Sequence, residues 1–112
     1  MKLLITIVQD FDSDYLIEKL TEENFRVTKL SSSGGFLKSG NTTIFSGVDD
    51  ERLEDYLQIV RKNCKTRELT KTIQTSGMPG QMFSSSLMSM PIQIQVGGAT
   101  VFILDIYDFR RY

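Results

Sequence analysis

From Lys2 to Gln9 the chain is almost unbroken apolar, with Thr6 alone interrupting Leu3 to Val8. A short run of that kind predicts a strand that is buried on both faces or lies at the centre of a sheet. Asp10, Asp12 and Ser13 then offer N-cap groups for a helix beginning near Asp14. Within it Leu16 and Leu20 share one face with Ile17 beside them, while Glu18, Lys19 and Glu22 face water. Asn24 follows, a residue that tolerates the left-handed conformation on which helices often end. From Phe25 the period drops to two: Phe25, Val27 and Lys29 alternate with Arg26, Thr28 and Leu30, which predicts a second strand. Thr43 to Val48 predicts a third, reached across the loop LSSSGGFLKSGNTT at residues 30–43.

The next helix carries the clearest signals. Asp49, Asp50 and Glu51 crowd its start and Arg61, Lys62 and Lys65 its end, so charges match both poles of the helix dipole. Leu53, Leu57, Val60 and Cys64 fall at i, i+4, i+7 and i+11, an apolar stripe for packing on a sheet. Cys64 reads as a small buried hydrophobe rather than a nucleophile, since the chain has no histidine to activate it. Residues 67–90 are rich in Ser, Thr, Met and Gly, and Met78, Met82, Met88 and Met90 follow no period. This segment reads as a long loop, a flexible flap. PIQIQV at 91–96 alternates, with Ile92, Ile94 and Val96 inward and Gln93 and Gln95 outward. Gly97-Gly98 implies a bulge or a close backbone approach, after which Ala99 to Ile106 resumes as strand. Strand, helix, strand, strand, helix, strand is the α+β, ferredoxin-like order βαββαβ, with both helices on one sheet face. The loops are where function is expected.

At 112 residues the chain reads as a single domain, 1–112. A hydrophobic content of 40% with 24% charged residues is globular, and Leu3 to Val8 is too short to span a membrane. No small-residue cleavage site follows a sustained apolar region near Met1, and the single Cys64 suits a reducing compartment. The expectation is a cytoplasmic protein without membrane insertion. Thirteen basic against fourteen acidic residues lack the excess that tracks a nucleic-acid polymer; the basic neighbourhood around Arg61 is explained by its place at a helix end.

With zero histidines and one cysteine, a zinc or copper site would need carboxylates alone, which suit harder cations instead. The serine clusters 31–33 and 84–86 have neither a histidine base nor an SxxK motif, and no GK[ST] places a lysine at a phosphate. Neither an enzyme nor a bound cofactor is expected. Binding remains. Gly34, Gly35 and Gly40 leave backbone N–H groups free to form anion nests. Arg26 and Thr28 add a guanidinium and a hydroxyl on one strand face, and Phe36 offers a flat ring. Aromatic stacking beside such donors is how small sites hold purines; alternatively, Phe36 packs under its own loop or in a subunit interface.

IVQD at 7–10, NFRVTKL at 24–30, GGFLKSGNTT at 34–43, GVDDERLED at 47–55 and VGGATVFIL at 96–104 together resemble the PII-like cyclic di-AMP receptor family of Gram-positive bacteria. The likeness runs over nearly the whole chain in matched order and weakens in residues 67–90, where TIQTSGMPG only loosely echoes the family's PITPMGG. It implies a homotrimer of PII-like, ferredoxin-like subunits, with a short loop between strands two and three and a large one after helix two. It also implies one cyclic di-AMP at each subunit interface, no catalysis, and a downstream protein partner of unknown identity. By matching position, Asn24, Arg26, Thr28, Gly35, Phe36, Leu37, Asn41 and Gly47 line the pocket from one subunit, and Phe102 helps to enclose the ligand. The family commonly carries glutamine where this chain has Arg111, in DFRRY, so Arg111 either adds phosphate attraction or crowds a base. Two other classes compete: a conventional PII-type sensor of ATP and 2-oxoglutarate, and a trimeric scaffold without a small ligand. The first would carry a longer signalling loop and basic nucleotide contacts after helix two, which are not evident here.

Overall fold

The computed structural model describes residues 1–30, 40–74 and 89–112, with the backbone path alone for 71–74 and 89–90. In chain order these form β1 (Lys2–Gln9), α1 (Asp10–Glu22), β2 (Thr28–Leu30) and β3 (Asn41–Val48). A 3-10 turn (Asp50–Arg52) then leads into α2 (Leu53–Cys64), β4 (Arg67–Gln74), β5 (Ser89–Val96) and β6 (Ala99–Asp105). Residues Met1–Lys65 with Gly97–Tyr112 make one compact unit and Thr66–Val96 a second.

In the first unit the sheet order is β2-β3-β1-β6, every neighbouring pair antiparallel. With α1 and α2 this is the ferredoxin-like arrangement, β6 serving as its fourth strand. β1 is central, as its apolar run requires, yet only one of its faces is fully covered. Leu4, Thr6 and Val8 are buried, while Leu3, Ile5 and Ile7 on the other face are half-exposed. The core joins Leu4 and Val8 to Ile44 and Val48 of β3, Leu16 and Leu20 of α1, and Tyr56, Val60 and Cys64 of α2.

Helix α1 begins earlier than the sequence expectation, whereas Asp49, Asp50 and Glu51 stand at the start of the 3-10 turn that runs into α2, as expected. α1 starts at Asp10, not near Asp14, so Asp12 and Ser13 are buried helix residues rather than caps. Two local bonds make this start tenable: Ser13 Oγ donates to the Asp10 carbonyl at 2.8 Å, and Thr42 Oγ1 donates to the Asp10 carboxylate at 2.5 Å. At the other end Asn24 takes the left-handed conformation, φ 67°, and Phe25 N–H returns to the Leu20 carbonyl at 2.9 Å. The buried stripe of α2 is Tyr56, Val60 and Cys64, with Leu53 and Leu57 packed half-buried beside it. Tyr56 is 0% exposed, and its hydroxyl lies 2.8 Å from Thr6 Oγ1, so each buried hydroxyl satisfies the other. The Phe25 ring meets Tyr56 edge-on, centroids 5.4 Å apart, and the Arg52 guanidinium lies 4.0 Å from its centroid. This pull into the core shortens β2 to three residues, where alternation from Phe25 had predicted six.

The second unit corrects the expected loop. β4 and β5 pair antiparallel from Arg67 opposite Val96 to Gln74 opposite Ser89, and residues 75–88 lie outside the described chain. PIQIQV therefore belongs to a hairpin and not to the strand that follows it. Gly97 and Gly98, at φ 83° and 95°, separate the two. The close approach expected there is present: Gly97 N–H donates to Gln9 Oε1 at 2.8 Å, and Gly98 N–H donates to the Cys64 carbonyl. Ile92 and Ile94, expected inward, are each 37% exposed, because a two-stranded sheet has no second layer of its own to bury them against. Among the described residues no helix is long and apolar enough to cross a membrane.

Candidate functional site

The sheet face away from the helices is apolar and open. Strand register sets Thr28, Phe45, Ile5 and Phe102 in one row across it, and Gly47, Leu3 and Leu104 in the next. Phe102 is 52% and Leu104 45% exposed, large values for residues on a sheet face. One corner of this face is walled into a half-open cavity of about 540 Å³. Its floor is Phe45 and Gly47 of β3 with Leu3 of β1, one wall is Arg26 and Thr28 ahead of and within β2, and the other is Phe109–Arg111 after β6.

The walls are held by identifiable bonds. The Arg26 carbonyl accepts a hydrogen bond from Ser46 Oγ at 2.6 Å, which fixes the backbone behind that side chain. The C-terminal wall is tied at its base: Ile106 N–H donates to the Met1 carbonyl at 3.3 Å, and Lys2 pairs with Asp105. The hydrogen bond between them raises the Lys2 amine above its ordinary range and lowers the Asp105 carboxyl below its own. The Met1 ammonium is paired with Asp50 at 3.2 Å, so the rim of the floor is anchored too.

Three guanidinium groups and no carboxylate line the cavity. Arg110 is committed to Asp108 at 2.7 Å, whereas Arg26 and Arg111 have no ion pair among the described residues. Two uncompensated guanidinium groups beside Phe45, Phe109 and Leu3 make a site for an anion joined to a flat apolar group. Gly47 contributes space: a methyl built there would meet only Met1 Sδ, at 3.8 Å. We therefore expect Gly47→Val to leave the melting temperature within about two degrees. The same change should weaken ligand binding by about 1–3 kcal/mol, the usual cost of overfilling a packed space; parallel melting and calorimetry check both halves.

Of the residues singled out in the sequence, Arg26, Thr28, Gly47 and Arg111 meet in this one cavity. Asn24 does not lie on a strand beside Arg26; it occupies the left-handed turn after α1. Asn41 lies opposite Gln9, at the other end of β3 from Gly47, and Phe102 is on β6, with β3 and β1 between it and β2. Gly35, Phe36 and Leu37 lie outside the described residues. Sequence reasoning missed Phe45, Leu3, Phe109 and Arg110. A signal for Phe45 was available: it follows Ile44 directly in a strand, so the two must face opposite sides.

Two helices on an antiparallel sheet of order β2-β3-β1-β6 define a ferredoxin-like, PII-like class of domain, here with an arginine-lined apolar cavity on its open sheet face. Within that class the chain belongs to the cyclic-di-AMP receptor family, whose profile matches residues 1–112. It is also similar to the crystal structure of a functionally unknown protein from Pediococcus pentosaceus ATCC 25745. The two are 43% identical with a TM-score of 0.74, over 99% of this chain and 96% of that one.

Proposed function

We propose that this protein binds cyclic di-AMP in the cavity between Arg26, Gly47 and Arg111, and that it does so as a homotrimer with one ligand at each subunit interface. The observation that carries the reading is the pair of uncompensated guanidinium groups over an aromatic floor, in a member of a cyclic-di-AMP receptor family. Cyclic di-AMP presents two phosphodiesters and two adenines, the combination of anion and flat ring that such walls accept. Thr28 adds a hydroxyl, and Asn24, Gly35, Phe36, Leu37, Asn41 and Phe102 complete the contacts from the same subunit or its neighbour. The role is binding rather than catalysis, and the bound state is read by a downstream protein.

The apolar sheet face supports assembly, since Leu30, Phe45, Phe102 and Leu104 are all exposed on it, and exposed apolar patches mark interaction sites. Light scattering after size exclusion should give three times the 12.8 kDa chain mass; a stable monomer refutes the interface. The deciding experiment for the ligand is a thermal shift followed by calorimetry. Cyclic di-AMP should raise the melting temperature by mass action, with one ligand bound per chain and no comparable shift from ATP. A shift from ATP alone assigns the site to another nucleotide class. Phe36→Ala should cost about 1–3 kcal/mol of cyclic di-AMP affinity, the cost of losing a stacking platform, with the trimer intact. Unchanged affinity would make Phe36 a packing residue.

A further inference from the structure

A second hollow on the described surface lies on the helix layer, opposite the sheet face that carries the nucleotide cavity. It is an open groove of about 590 Å³ between α1 and α2. The helices run in opposite directions there, as the bond from Arg52 Nη2 at the start of α2 to the Glu23 carbonyl after α1 requires, 2.7 Å. Ile59, half-buried, and Tyr15, 53% exposed, give the groove apolar footing. Arg61 and Lys62 stand over it without an ion pair among the described residues.

Complementing the helix dipole accounts for cations in the last turn of α2. It does not account for an exposed tyrosine facing them from another helix, nor for the groove. Lys19 shows what the groove favours: its ammonium lies 5.2 Å from the Tyr15 ring centroid and 3.4 Å from the Glu22 carboxylate. Lys19 and Glu22 thus offset each other. Of the remaining charges lining the groove, Arg61, Lys62 and Lys65 outnumber the single carboxylate of Glu23, so the balance is positive.

We propose that this groove docks an acidic helical segment of a partner protein, which sets one or two apolar side chains between Tyr15 and Ile59 and its carboxylates against Arg61 and Lys62. An amphipathic helix in the furrow between two others is a recurring recognition mode, and charge complementarity selects its sign. The surface lies on the opposite side of the sheet from the apolar face proposed to assemble. It does not depend on nucleotide binding.

The test uses the full-length protein and a fluorescein-labelled, alanine-based peptide of about 14 residues, long enough for marginal helicity. It carries leucines four apart and three glutamates beyond them; a second peptide replaces the glutamates with lysine. Anisotropy should show saturable, sub-millimolar binding of the acidic peptide and none of the basic one. Arg61→Gln with Lys62→Gln, and separately Tyr15→Ala, should each weaken it at least tenfold, while oligomer mass, helical content and cyclic di-AMP affinity stay at parent values. The proposal is overturned by no saturable binding of the acidic peptide, by equal binding of the basic peptide, or by undiminished binding to the double variant. Loss of cyclic di-AMP binding in the parent would touch only the nucleotide assignment.

Discussion

Tyr56→Ala should lower folding stability by about 3–5 kcal/mol, the cost typical of removing a large aromatic side chain from a closed core. The ring is fully buried and meets Phe25 edge-on, and its hydroxyl is the partner of the buried Thr6 hydroxyl among the described residues. Truncation therefore leaves a cavity and an orphaned hydroxyl together. Tyr56→Phe separates the two effects: the ring stays, and the unpaired Thr6 hydroxyl costs about 1–3 kcal/mol. Burial also pushes the Tyr56 phenol above its ordinary value of 10.0, opposed by the Thr6 hydrogen bond. In that case the folded state holds its proton longer than the unfolded chain. This component of stability is complete below pH 10 and falls as pH rises through the folded value. Tyr56→Phe removes that alkaline decline. Urea unfolding of the three proteins at pH 7 and above pH 10 measures all of this; a loss under 1 kcal/mol for Tyr56→Ala would show that the ring does not hold the layers together.

The order of the ferredoxin-like elements was legible because each long element buries one stripe at its own period. Leu16 with Leu20 and Val60 with Cys64 mark the helix faces, and Leu3 to Val8 marks the central strand. Tyr56 stands outside the stripe expected from Leu53, Leu57, Val60 and Cys64, because its burial depends on a partner for its hydroxyl, Thr6, that lies fifty residues away in β1. Phe25 read as strand because alternation cannot reveal that a ring has turned inward against a helix on the next layer. β4 was missed for another reason. Arg67, Leu69, Lys71 and Ile73 alternate with Glu68, Thr70, Thr72 and Gln74, but two cations among the first four hide the apolar face. The pairing that makes this a strand comes from β5, and composition does not record it.

The site was partly legible for a related reason. Arg26, Thr28 and Gly47 stand out by residue type, and their convergence follows from antiparallel pairing of β2 with β3. The wall that bounds the cavity, Phe109–Arg111, depends instead on where the chain goes after β6. That path is set by Lys2–Asp105 and by Ile106 against Met1, contacts about a hundred residues apart in sequence. No local pattern encodes them. Arg111, conspicuous as a departure from the family's glutamine, acquires a physical setting only once that wall is in place: it shares the cavity with Arg26.

Arg26→Ala should cut cyclic di-AMP affinity about tenfold to a hundredfold, because a hydrogen bond to a charged group contributes about 1.5–3 kcal/mol. The backbone of Arg26 is already held by Ser46 Oγ, so truncating the side chain leaves the strand in place and the loss is one of recognition. Lysine should restore only part of it, since a point charge lacks the planar fork that engages two acceptors at once. Arg111→Gln supplies the contrast. If Arg111 meets a phosphodiester, its glutamine variant should bind more weakly at low salt and lose affinity less steeply as salt rises, because one charge contact has been removed. If Arg111 crowds a base, the same variant should bind more tightly at every salt concentration. Calorimetry on the four proteins at low and high ionic strength distinguishes these outcomes. An Arg26→Ala protein that binds cyclic di-AMP as tightly as the parent would move the ligand out of this cavity altogether.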